Sequence, residues 1–168
     1  LVAPAAHGEQ SFAEPEDVRL EVGEEKTRAL EALARGRGLT MNTLVQVAWG
    51  LVLTTLGTRE DVTFGATVSG RPPAVPGIES MVGLFINTVP VRLRLRREET
   101  LAELLQRFQR EQSALLDHHY LGLTEIQRAV GEGAAFDTLT VFESYPVDRI
   151  GLSEDTDIGG MHVAGIEG

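Results

Sequence analysis

Residues 61–96 read DVTFGATVSGRPPAVPGIESMVGLFINTVPVRLRLR, and the two alternating runs at its ends decide the fold. In residues 62–69, Val62, Phe64, Ala66 and Val68 fall on one side and Thr63, Gly65, Thr67 and Ser69 on the other. A period of two is the mark of a half-buried strand. Residues 88–96 repeat it, with Val89, Val91, Leu93 and Leu95 opposite Pro90, Arg92, Arg94 and Arg96. Pro90 lacks a backbone donor, so that strand belongs at a sheet edge or has its proline nitrogen unpaired. The connection between the runs is long and proline-rich. Loops of that length usually carry a function.

Working outward, residues 1–17 hold two prolines and scattered alanines with no period, which predicts a lead-in or linker. Residues 17–22 (DVRLEV) alternate Val18, Leu20 and Val22 against charge and predict a first short strand. Residues 24–35 place Leu30, Leu33 and Ala34 on one helical stripe, with Glu24 and Glu25 at the positive end. Gly36 and Gly38 end that helix. Thr40 then caps a helix over residues 41–56 that is apolar on nearly all sides, with Trp49 as a core residue. Beyond the central stretch, Thr100 and Glu103 form a capping box, followed by Leu101, Leu104, Leu105, Phe108, Leu115 and Leu116 at helical spacing. Thr124 with Gln127 predicts a second capping box and a short helix ending near Gly131. Residues 136–143 predict a strand, and a further one begins near His162.

Strands interleaved with helices imply an α/β fold, a mixed sheet covered by helices. At 168 residues the chain is large enough for one real core. The formal net charge of −10 argues against nucleic acid or an anionic membrane as partner. With no cysteine there is neither a disulfide framework nor a thiolate metal site, which fits a bacterial cytoplasm. The longest apolar run, within residues 44–56, is too short to span a bilayer.

SGRPP followed by GIESMVGLFINTVPVR resembles the fifth core motif of nonribosomal peptide synthetase condensation domains. TMNTLVQVAWGLVLTTL resembles the fourth region of that family and LLDHHYLGLTEIQ the sixth. FDTLTVFESYP resembles the seventh, with Ser144 where Asn is more typical. The resemblance implies the C-terminal lobe of a chloramphenicol-acetyltransferase-like pair, over residues 18–168, with 1–17 as lead-in or inter-lobe linker. It also implies that the lobe is incomplete at its C-terminus and that the chain is a fragment. The implied reaction joins donor and acceptor thioesters carried on phosphopantetheine arms, with no cofactor bound directly. The implied partners are the N-terminal lobe and the donor and acceptor carrier proteins. The alternative is a non-catalytic module that docks a carrier protein or a partner lobe.

The family's catalytic His-His-x-x-x-Asp-Gly motif is assigned to the N-terminal lobe. His118-His119 begins like it, but Leu123 and Thr124 stand where Asp and Gly are required, so no catalytic residue is expected here. An imidazolium at a helix C-terminus is the expected role of that pair. His7 and His162 have no ligand partners at metal-binding spacing, so no metal site is expected. Ser69 ends a strand beside Gly70, which permits close backbone approach. The resemblance implies that Ser69, Gly70 and Asn87 line the substrate tunnel, and Ser69 and Asn87 are expected to share one cleft. Arg71 is expected to pair with a carboxylate to fix the lobe or the loop, with Gly83 and Phe85 also structural or lobe-contacting. Arg92, Arg94 and Arg96 read as a solvated strand face.

Overall fold

The computed structural model describes residues 16–71, 75–131, 135–143, 157–158 and 161–162. Among the described residues four α-helices and five strands run in the order α1 (Glu24–Arg37), α2 (Met41–Gly57), β1 (Asp61–Ser69), β2 (Ile86–Arg94), α3 (Leu101–Leu115), α4 (Leu123–Val130), β3 (Leu139–Thr140), β4 (Asp157–Ile158) and β5 (Met161–His162). The main sheet has the order β2-β1-β3. β1 pairs antiparallel with β2 and parallel with β3, so the sheet is mixed, as the sequence pattern implies. β4 and β5 pair with each other as an antiparallel two-stranded sheet.

The even-numbered side of β1 is the core side. Phe64 and Ala66 are buried there, with Val89, Val91 and Leu93 from β2 beside them. Val47 and Leu53 of α2 and Leu104, Leu105 and Phe108 of α3 complete one apolar cluster. Burying each of the larger side chains contributes about 2–3 kcal/mol. α2 lies close over β2 because Gly50 has no side chain; a Cβ there would stand 2.3 Å from Leu93 Cδ2. α2 and α3 are also stitched by Gln109, whose Oε1 accepts from the Thr40 amide at 3.0 Å and from the Thr43 hydroxyl.

Local signals work where a side chain can reach its own backbone. Thr40 caps α2, its Oγ1 accepting from the Thr43 amide at 3.1 Å. Thr100 and Glu103 form the full reciprocal box at α3. Gly38, at φ 64°, ends α1 in the left-handed region, while Gly36 lies inside the helix. Pro90 sits in the edge strand opposite Gly65. Since Gly65 gives its N–H to Thr138 on the β3 side at 2.8 Å, the Gly65–Pro90 pair exchanges no ladder bonds. The proline nitrogen therefore faces away from β1.

Several expectations are corrected. Residues 17–22 form no strand: Val18 is 94% exposed and Leu20 86%, and alternation without a partner strand does not make a sheet. The second strand starts and ends two residues earlier than the 88–96 pattern, since pairing with β1 sets its bounds. α2 is less enclosed than its composition implies, with Val45, Val52 and Leu56 exposed. At α4 the cap is Gly122, whose amide donates to Glu125 at 3.4 Å; Thr124 is already in the first turn, so it makes no box with Gln127. Within 136–143 only Leu139–Thr140 is strand. The expected strand near His162 begins one residue earlier, at Met161. The lead-in over residues 1–15, His7 and Ser144 lie outside the described residues.

Candidate functional site

Three stretches singled out in the sequence meet at one end of the β1–β2 pair. The first is Ser69-Gly70-Arg71, the second residues 82–87, and the third the turn after α3. Gly70 donates its amide to the Phe85 carbonyl at 2.7 Å. A Cβ on Gly70 would stand 2.5 Å from that oxygen and 3.5 Å from both Asn87 Cβ and the His119 carbonyl oxygen. Glycine is required here by contact with backbone that cannot give way. Gly83 is a milder case, since its added Cβ would lie 3.3 Å from the Phe85 ring.

Arg71 fixes the loop between the strands, though not through a carboxylate as expected. Its Nη1 donates to the carbonyls of Ile78 and, at 3.1 Å, Met81. The guanidinium carbon lies 4.1 Å from the centre of the Phe85 ring. Carbonyl oxygens and a π face offer negative potential without a formal charge, which suits a half-buried arginine. Ile78 is buried beneath this clamp, in a single 3-10 turn (Ile78–Ser80).

Asn87 is fully engaged. Its Nδ2 donates to the carbonyls of His119 at 2.8 Å and Leu121 at 2.7 Å, and its Oδ1 accepts from the Thr88 amide at 2.9 Å. The expectation that Asn87 and Ser69 share a cleft is overturned by the register. Asn87 is opposite Val68, and Ser69 is opposite Ile86. Directly paired residues share a face and successive residues alternate, so Asn87 falls on the core side with Val89 and Ser69 on the other. Ser69 is exposed and makes no side-chain hydrogen bond among the described residues.

The turn that Asn87 holds contains both adjacent histidines. His118 is exposed; His119 is half-buried, and its Nε2 has no hydrogen-bond partner among the described residues. Burial pushes the His119 pKa below its ordinary value. The neutral ring is favoured, so the imidazolium expected at a helix end is corrected for His119.

Two charge clusters were not anticipated. Asp61 accepts from Arg92 at 2.8 and 2.6 Å and from Arg94 at 3.1 Å, and the hydrogen bond from Arg92 is the chief cause of its lowered carboxyl pKa. Two of the three arginines on the solvated face are thus tied down. Arg107, on α3, takes Glu99 in a bidentate pair at 2.7 Å for both bonds, adds Glu111 at 3.2 Å, and donates to the Arg94 carbonyl at 2.7 Å. Its i,i+4 spacing to Glu111 is visible in the sequence, while the eight-residue reach to Glu99 is not. An open cavity of about 610 Å³ lies beside this cluster and includes Arg96 and Arg110 in its wall, but none of Ser69, Gly70, Arg71 or Asn87. Among the described residues no three acidic or histidine side chains are grouped to hold a metal ion. No single helix there is long and apolar enough to cross a membrane.

Residues of the fifth- and sixth-motif segments thus meet in one knot at the end of a mixed sheet with helices, the α/β architecture that the sequence resemblance implies. A model of the condensation domain family matches residues 3–164, and the chain belongs to that family. Chondramide synthase cmdD of Chondromyces crocatus is 44% identical over 139 residues, 81% of this chain and 4% of the relative. Vanchrobactin synthetase VabF of Vibrio anguillarum is 45% identical over 128 residues, 76% of this chain and 4% of the relative. The fold is shared with the crystal structure of the first condensation domain of the CDA synthetase, at a TM-score of 0.60 and 23% identity, covering 72% of this chain and 27% of that one. The chain therefore spans a few per cent of the length of these two relatives.

Proposed function

We propose that this chain is the C-terminal lobe of a domain that forms an amide bond between two tethered thioesters in nonribosomal peptide synthesis. The acceptor amine attacks the donor thioester carbonyl, the carbon–sulfur bond breaks, the donor arm leaves as a thiol, and the amine loses a proton. Both reactants arrive on phosphopantetheine arms of carrier proteins, which act as substrates rather than as bound cofactors. In this reading the two carriers and the N-terminal lobe are the partners, and the location is cytoplasmic. Holding two tethered reactants in register can supply several kcal/mol of the barrier reduction.

The observation that carries the reading is the family match over residues 3–164 together with the packing of its fifth- and sixth-motif segments into one knot. In this reading Ser69 lines the tunnel wall, Gly70 packs behind it against Phe85 and Asn87, and Arg71, Gly83 and Phe85 hold the adjoining loop. In this reading neither His118 nor His119 acts as the base, because Leu123 and Thr124 stand where the motif requires Asp and Gly. The test is single-turnover condensation by the intact domain with two loaded carriers. Amide product is expected, and it persists in His118→Ala. This chain supplied alone is expected to give none. Binding of both carriers by the intact domain without any amide product would favour the docking-module reading instead.

A further inference from the structure

With Asn87 on the core side, the residue of β2 that shares a face with Ser69 is Ile86, its direct partner in the register. Phe136 and Leu139 cover that face around Gly65, where an added Cβ would meet them at 2.4 and 2.9 Å. Among the described residues the cover does not extend to the strand ends. Thr67 and Thr88 are half-buried, Ser69 is exposed, and Ile86 is 66% exposed. The two cross-strand pairs at this end, Thr67–Thr88 and Ser69–Ile86, carry three hydroxyls and one branched aliphatic side chain, with no charge. The other end of the same face is charged, holding Asp61, Arg92 and Arg94.

We propose that Ile86 contacts the variable side chain of the substrate acyl group and sets its preferred size, while the neighbouring hydroxyls serve its amide groups. This rests on the amide-forming reading above. The occupant is a neutral aliphatic aminoacyl chain on a thioester. A charged macromolecular surface would find no counter-charge at these four positions, whereas a neutral chain meets an aliphatic patch and hydroxyl partners. Asn87 reaches the same locale from the opposite face and has no spare donor, so it supports the turn at 119–121 and contacts no substrate.

The experiment uses the intact condensation domain with a series of acceptor thioesters carrying alanyl, 2-aminobutyryl, norvalyl and norleucyl groups, repeated with the same series as donors. Ile86→Ala should shift the kcat/KM ratio of norleucyl to alanyl by at least about fivefold toward the longer chain in one of the two series, since a single methylene in a fitted pocket is commonly worth tenfold or more. Ile86→Val should fall between. Asn87→Ala should lower every member by a common factor. Size profiles of Ile86→Ala and Ile86→Val that superimpose on wild type in both series overturn the assignment. So does a large loss of melting temperature in Ile86→Ala with an unchanged profile, which would mean that protein covers the site. If Ile86→Ala fails to fold, Ile86→Val decides by the same comparison. A wild-type domain that makes no amide with any member overturns the amide-forming reading, and the Ile86 assignment with it.

Discussion

Asn87 holds the carbonyl of His119 at 2.8 Å, across 32 residues of chain, and with its other amide proton holds Leu121. This single side chain joins the start of β2 to the turn after α3. A half-buried amide with both donors and its acceptor in use is a structural tie.

Asn87→Leu should therefore destabilise the fold. It leaves two carbonyls and the Thr88 amide without their partner, at a cost of about 1–3 kcal/mol. Urea unfolding of wild type and variant measures this. The expected result is a lower midpoint with an unchanged slope. A midpoint equal to wild type would show that water replaces the amide without penalty.

Gly70 and Gly36 make opposite predictions for the same substitution. Gly70→Ala drives a Cβ against the Phe85 carbonyl oxygen at 2.5 Å and should cost about 1–3 kcal/mol or more, because backbone must move. Gly36 lies inside α1 with nothing within 4 Å of an added Cβ. Gly36→Ala should stabilise by about 0.5–1 kcal/mol through helix propensity and a stiffer unfolded chain. Thermal melts of the pair should move in opposite directions; a common sign would contradict the packing described at Gly70.

Much of this was legible in residues 61–96, because alternation reports on burial and burial is what the strands experience. The face of Asn87 was legible too: it has the parity of Val89 and Val91, and following that alternation back from the strand places it on the core side. What the pattern lacks is pairing. Residues 17–22 alternate as cleanly as β1 yet form no strand, since a ladder needs a neighbour at the right height. Asp61 with Arg92, and Arg107 with Glu99, are invisible for a related reason. Their partners are brought together by register and by the turn into α3, neither of which leaves a local signature. The capping boxes show the converse: at Thr100 the donor and acceptor are three residues apart and read correctly, while at α4 a start placed two residues late cannot be told from an on-time one without the backbone.

His119 should give the protein a pH dependence near neutrality. Its folded pKa lies below the ordinary 6.5, so as pH falls through about 6.5 the unfolded chain takes up a proton that the folded one resists. Stability is then fully present above that window and declines below it, down to the folded pKa. His119→Gln removes the titrating group. Urea midpoints at pH 7.5, 6.0 and 5.0 should fall for wild type and stay flatter for the variant. Parallel curves would mean that His119 is as well solvated folded as unfolded.

Arg107 and Glu99 make the sharpest energetic prediction. Both side chains are 11% exposed, and their bidentate pair also anchors α3 to the last carbonyl of β2. Arg107→Met keeps an apolar stem but strands the Glu99 carboxylate, which should cost about 3 kcal/mol, the low end for a buried pair losing one member. The double change Arg107→Met with Glu99→Leu removes both charges and should recover at least about half of that loss, because the cost lies mainly in the abandoned charge. The pair also sets an acid limit. The hydrogen bonds from Arg107 hold the Glu99 pKa below its usual 4.5, so its contribution is present above about pH 4.5 and is lost as pH falls through the lower folded value. Asp61 and Glu103 are lowered in the same sense, so the double variant should lose only part of the acid slope. Equilibrium unfolding of the four species from pH 7 to pH 3 provides the cycle. A double variant no more stable than Arg107→Met would show that Arg107 acts mainly through the Arg94 carbonyl, a bond that both variants lack.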